Sequence, residues 1–217
     1  MTKRQQQQNS PQSRDGGYTI IESLVAMIVV SVLMIAIAPV MAFSVATRVQ
    51  ARRMELATQA ARAYIDALRT GALRPNDPKS PAGFPAPRVT EPNVAKALAP
   101  TNINSLYCID MDGDQKCLPS SNKDFVVQGA WRNPDPAITT TTDISTKGYE
   151  LMVRVYRADS FAADAPTLKG PDPNRARQSV AGAGLGDRSV PVVEMTTEIP
   201  ASGDPSYKSI FDRLQQP

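Results

Sequence analysis

From Leu24 to Ala46 the chain runs 23 residues without a charged side chain, and its only polar side chains there are Ser31 and Ser44. As a helix this run reaches roughly 35 Å, enough to cross a hydrocarbon core of ~30 Å. A stretch this long and this uniformly apolar reads as a membrane segment rather than as one face of a soluble core. A cleaved secretory signal is the nearest competitor. Lys3, Arg4 and Arg14 precede the run, and Ser44-Val45-Ala46 has the small-x-small form of a signal-peptidase site. Such signals carry an apolar region of about 7–15 residues, however, and have no use for a carboxylate such as Glu22 at its edge. Arg48, Arg52 and Arg53 follow the run and match the three positive charges before it. The distribution of basic residues therefore selects no orientation.

The helical pattern continues past the apolar run. Val49, Leu56, Ala60, Ala63, Tyr64, Ala67 and Leu68 recur at helical spacings and predict one apolar stripe, read as core packing rather than a coiled-coil seam. Alanine is frequent, and Arg62 and Asp66 form an i,i+4 pair. Gly71 suits the residue after the last turn, and Pro75 cannot continue a helix. One helix is thus expected from Tyr18 to Thr70, about 80 Å long. Arg48, Arg52, Arg53, Arg62 and Arg69 give it a basic face. That face is read either as solvated and touching lipid head groups or as docking an anionic partner.

Beyond the helix the pattern changes. Residues 75–100 hold seven prolines and predict an extended connection, with a short helical turn at Val94–Leu98. Three strands are expected next. Phe125–Trp131 is continuously apolar at its start. Tyr149–Tyr156 alternates, with Tyr149, Leu151, Val153 and Val155 on one face and Glu150 and Arg154 on the other. Val190–Ile199 places Val193, Met195, Thr197 and Ile199 together. Residues 157–188 between the last two strands read as a long surface loop or disorder. Gly182, Gly184 and Gly186 within it lack the spacing and the preceding strand of a dinucleotide fingerprint. Thr139–Thr142 reads as another loop. One long helix on a small antiparallel sheet makes the expected fold class α+β.

Composition narrows the chemistry. The chain of 217 residues has no histidine, which excludes His-based acid–base catalysis and imidazole-ligated zinc. Two cysteines cannot build a four-cysteine metal centre. The net charge of +3 is too small to argue for nucleic acid, and none is expected as a partner. No set of residues in 75–217 suggests catalysis, so the chain is expected not to be an enzyme.

The junction between leader and apolar run carries the most specific signal. A short polar, basic leader ends at Gly16-Gly17, an apolar helix begins at once, and Glu22 lies five residues after the second glycine. This resembles the class III signal of type IV pilins and pseudopilins. The resemblance covers residues 1 to about 70. It implies that a prepilin peptidase in the membrane cuts between Gly17 and Tyr18 and that the new α-amine of Tyr18 is methylated. Glu22 then occupies the fifth mature position, where the family's glutamate pairs with the amine of a neighbouring subunit during assembly. Without such a role it is an interfacial carboxylate reaching for water, at a cost of ~2.5–3.5 kcal/mol if held at bilayer depth. Pro39 falls at the twenty-second mature position, where many pilins carry a helix-loosening proline.

The segment Ala46–Asp66 sharpens the resemblance toward the B-type pseudopilins of the cyanobacterial hormogonium polysaccharide secretion system. That implies a minor pilin or pseudopilin supporting polysaccharide export and gliding. Its partners would be other pilins, an assembly platform and ATPase, membrane lipid and polysaccharide. Adhesion, twitching or DNA uptake by a minor pilin is one alternative; an unprocessed membrane-anchored binding domain is another. The expected organisation is a leader at 1–17, a transmembrane half-helix at 18–46, an amphipathic half at 47–71, a Pro-rich linker at 72–100 and a β-rich domain at 101–217. The resemblance puts the N-terminus in the cytoplasm and the C-terminal domain in the periplasm, with later passage to a filament or the cell surface. In that compartment Cys108 and Cys117 are expected to form a disulfide. Between them Asp110, Asp112 and Asp114 alternate like the first ligands of a calcium loop. Gly113 comes early for such a loop and no glutamate follows nearby, so an acidic Asp-Gly turn without an ion stands beside the calcium reading.

Overall fold

The structure is a computed structural model that describes residues 19–73, 88–140, 144, 147–170, 186–201 and 211. The chain divides into two units, the first ending at Ser44 and the second beginning at Val45. Helix α1, Ile20–Arg69, supplies most of the described part of the first unit and the opening element of the second.

In the second unit α1 buries Gln50, Ala57, Ala60, Ala61, Tyr64, Ile65 and Leu68. The stripe is rotated from the expected one: Val49 and Ala63 are exposed, whereas Ala57, Ala61 and Ile65 are buried. The rotation turns Ile65 inward in place of Ala63 and so hides the larger side chain. The alanines at 57, 60 and 61 let the helix backbone approach its partner layer closely. At the C-terminal end Gly71 takes φ 72°, a left-handed conformation that favours glycine. The turn lets the Leu73 N–H reach the Ala67 carbonyl at 3.0 Å.

Among the described residues four strands follow: β1 Tyr107–Ile109, β2 Phe125–Arg132, β3 Tyr149–Arg157 and β4 Val193–Ile199. They form one antiparallel meander in the order β1-β2-β3-β4. β4 begins three residues later than its pattern suggests, after Pro191, which has no N–H to give to a ladder. β1 was not expected; three residues are too few to show a period of two. One sheet face presents Phe125, Val127, Trp131, Leu151, Val153 and Val155 to the helix residues in a single core. Tyr64 on α1 meets Tyr107 on β1 with ring centroids 5.4 Å apart.

The opposite face is covered too, which alternation did not reveal. Val89, Val94 and Ala97 pack on Ala130 and Met152, while Leu106 packs on Val126 and Tyr156. The described part of the expected linker, 88–100, is therefore a layer on the sheet and carries the 3-10 turn Val94–Lys96. Such a layer offers carbonyls that no ladder satisfies, and buried carbonyls need donors. Arg154, expected to face outward, is 1% exposed and supplies them. Its Nη1 and Nη2 donate to the carbonyls of Ala97 and Ala95, each at 2.7 Å, and its Nε donates to Glu194 at 2.9 Å. The Gln128 amide donates to the Leu98 carbonyl at 2.7 Å. Part of the expected long loop is also ordered: Arg157 belongs to β3, and Ala158–Phe161 forms a 3-10 turn with Ala158 and Ser160 buried.

The β1–β2 connection is closed by a disulfide between Cys108 and Cys117. Removing the bridge with a Cys108→Ala/Cys117→Ala double variant should lower the unfolding free energy by roughly 2–3 kcal/mol, read by denaturant titration. Equal stability would show that the loop is held by its other bonds. Arg154→Ala removes the donor to the buried Ala97 carbonyl and the guanidinium paired with Glu194, and should cost about 3–5 kcal/mol in the same titration. Arg154→Lys should recover little of it, because an ammonium cannot reproduce the planar fork.

Candidate functional site

Gly17 and Tyr18 lie outside the described residues. Description begins at Thr19, which acts as the N-cap of α1. The Glu22 N–H donates to the Thr19 carbonyl at 3.0 Å and to Thr19 Oγ1 at 3.3 Å. Thr19-Ile20-Ile21-Glu22 thus has the S/T-x-x-E spacing of a capping box. A carboxylate in the first turn is also favoured by the helix dipole. Thr19 thus caps the start of the helix, and the dipole gives the Glu22 carboxylate a helix-starting role that the spacing to Gly17 alone did not suggest.

From Ile20 to Val45 every large apolar side chain of α1 is more than half exposed. Two serines on this stretch are satisfied within the helix: Ser23 and Ser31 each donate a hydroxyl to a backbone carbonyl, of Ile20 and Met27, at 2.8 Å. α1 is the one described helix long and apolar enough to cross a membrane. It passes through Pro39 with helical residues on both sides. Glu22 and Pro39 lie on the same helix, and the structure does not bring them together.

The second cluster lies in the β1–β2 connection. The Asp110 carboxylate accepts the backbone N–H groups of Asp112, Gly113 and Gln115 at 3.0, 2.6 and 2.7 Å. The N–H groups of Gly113 and Gln115, followed by those of Asp112 and Asp114, hold this carboxyl below the usual carboxylate range. Gly113 at φ 85° and Gln115 at φ 63° make the tight turn that points these N–H groups inward. Asp112 Oδ2 accepts from the Ser121 hydroxyl at 3.0 Å, and Asp114 Oδ1 accepts from the Lys116 N–H at 2.8 Å. The structure brings together the three aspartates expected from the sequence and adds a fourth, Asp124. Carboxylate oxygens of Asp110, Asp112, Asp114 and Asp124 all lie within 4.8 Å of one another. Sequence reasoning missed Asp124 because it lies outside the cysteine loop, at no motif spacing from the others. Its one local signal is a charge placed directly before an apolar strand.

Comparison with known proteins bears on the N-terminus. The family described as "Prokaryotic N-terminal methylation motif" matches residues 12–38. No curated protein and no solved structure matches the chain. The match spans the polar end of the leader, both glycines, Thr19, Glu22 and the start of the exposed apolar helix. The chain thus carries a prokaryotic N-terminal methylation motif, the class III signal found in type IV pilins, at the head of a long apolar helix in an α+β fold.

Proposed function

We propose that the chain is a minor pilin or pseudopilin, a structural subunit of a filament of the type IV pilus or type II secretion kind. The observation that carries this reading is the coincidence of the methylation motif with a helix whose apolar side chains have no cover of their own. Lipid would cover residues 20–45 before assembly, and the helices of neighbouring subunits would cover them afterwards. Prepilin peptidase would cut between Gly17 and Tyr18 from the cytoplasmic side, and Tyr18 would be methylated. The C-terminal domain would face the periplasm. An ATPase and a platform protein would draw the subunit into the filament.

Helix physics gives the cleavage a consequence. The new α-amine would be a cation two residues before Ile20, at the positive end of the helix dipole, where a cation is disfavoured. Glu22 offsets it, within the subunit or from a neighbour, and the amine in turn relieves the cost of holding a carboxylate at membrane depth. Pairing between neighbours would set the register of one helix on the next. Polysaccharide export and gliding are the finer assignment, supported by the resemblance of Ala46–Asp66 to the B-type pseudopilins.

The intact mass and N-terminal residue of the membrane-extracted protein, from cells with and without the peptidase, test the reading. We expect loss of residues 1–17 and a methylated Tyr18 only when the peptidase is present. Glu22→Ala should still be processed, yet reach the filament fraction at least ~10-fold less, as the loss of one desolvated charge pair implies. An intact Met1, or a new terminus near Thr47, would overturn the proposal. Disrupting the gene and assaying polysaccharide export and DNA uptake separately would decide between the finer assignment and a DNA-uptake pilin.

A further inference from the structure

We propose that Asp110, Asp112, Asp114 and Asp124 form a calcium site that clamps the base of the β1–β2 connection. Asp110, Asp112 and Asp114 alone would be an ordinary acidic turn. Asp124 changes that reading. It is fully buried, with no residue exposure at all. One of its oxygens, Oδ1, accepts the Met111 N–H at 2.9 Å, while Oδ2 is buried without any hydrogen-bond partner. A desolvated carboxylate oxygen with no donor is strongly unfavourable unless a cation supplies the missing partner. Among the described residues no lysine or arginine forms an ion pair with any of the four aspartates. Four carboxylates gathered this closely repel one another, and a divalent cation turns that repulsion into attraction.

The strand register explains how Asp124 arrives there. Ile109 and Phe125 are directly opposed in the β1–β2 ladder. Asp110 and Asp124 are the next residues outward on the two strands, so the ladder itself sets them across from each other. Asp112 and Asp114 then fold back over the gap on the turn at Gly113. The donor set is hard oxygen only, and both cysteines are spent in the disulfide. This excludes the thiolate and imidazole coordination that zinc prefers. An oxygen–oxygen span of up to 4.8 Å matches opposite ligands on a calcium ion, at ~2.3–2.6 Å each, better than on magnesium at ~2.0–2.1 Å. Waters and backbone carbonyls would complete the six to eight oxygens calcium takes. The site stands independently of the pilin reading.

Calorimetric titration of CaCl2 into the full-length, detergent-extracted, EGTA-stripped protein tests it. We expect one saturable site per chain with a Kd of about 1 mM or tighter, the range of extracellular calcium modules, and a higher melting temperature in calcium than in EGTA. Asp124→Asn keeps an acceptor for the Met111 N–H and removes the charge; it should weaken calcium binding at least ~10-fold, as should Asp114→Asn at the exposed side of the cluster. Asp114→Asn decides the matter if the buried variant fails to fold. Absence of saturable binding by ~10 mM calcium would overturn the proposal. So would unchanged affinity in the folded aspartate variants. Equal affinity for magnesium would overturn the assignment to calcium.

Discussion

A helix that shows apolar side chains on every side has no stable place in water, and this constraint organises α1. Between Ile20 and Val45 each large apolar residue is more than half exposed, and on the proposed reading the cover comes from lipid or from other chains. The hydrogen bonding of the same stretch agrees with such surroundings. Ser23 and Ser31 turn their hydroxyls back onto the helix. From Gln50 onward the helix solves the problem differently, with one stripe buried against the sheet and charged residues elsewhere. One element thus answers two solvents, and the change of pattern from all-round apolar to striped marks where they meet.

The sheet is the second place where a constraint travels. Its helix-facing side could be read from alternation, because Tyr149, Leu151, Val153 and Val155 repeat at a period of two. Its other side could not. Arg154 occupies a position that alternation assigns to solvent, and only the tertiary structure shows that it is the donor for the Ala95 and Ala97 carbonyls. An irregular, proline-containing layer cannot satisfy its own backbone, so the sheet beneath it must carry polar side chains. Arg154 and Gln128 meet that need, donating to the carbonyls of Ala95, Ala97 and Leu98. Among the described residues the segment pairs with β2 only through the parallel bridge of Arg88 with Trp131, and Pro92 and Pro100 beyond it have no N–H to give to a ladder.

Legibility in the candidate sites follows the same division between local and long-range information. The junction at Gly17, Tyr18 and Glu22 is a local pattern, and spacing along the chain was enough to notice it; its described end adds the Thr19 cap, which a list of motif positions does not contain. Asp110, Asp112 and Asp114 were visible for the same reason. Asp124 was not, because its relation to them runs through the Ile109–Phe125 pairing of β1 with β2 rather than through the chain. β1 itself was invisible at three residues, and with it went the register that makes the cluster fourfold.

A subunit that assembles through its helix must not assemble through its sheet, and the two edge strands bear on that requirement. An open edge offers unpaired backbone groups to any neighbouring strand. β1 is only three residues long and leads straight into the disulfide-closed acidic turn, so little regular edge is available there. β4 is longer, at seven residues, and carries Glu194 and Glu198 with Pro200 directly after it. Arg69, from the last turn of α1, reaches across to Thr197 Oγ1 at 3.0 Å and occupies part of that strand's polar surface. Short length, charge and proline are the devices by which edges are kept from pairing. On the proposed reading they leave the apolar half of α1 as the contact through which copies of the subunit meet.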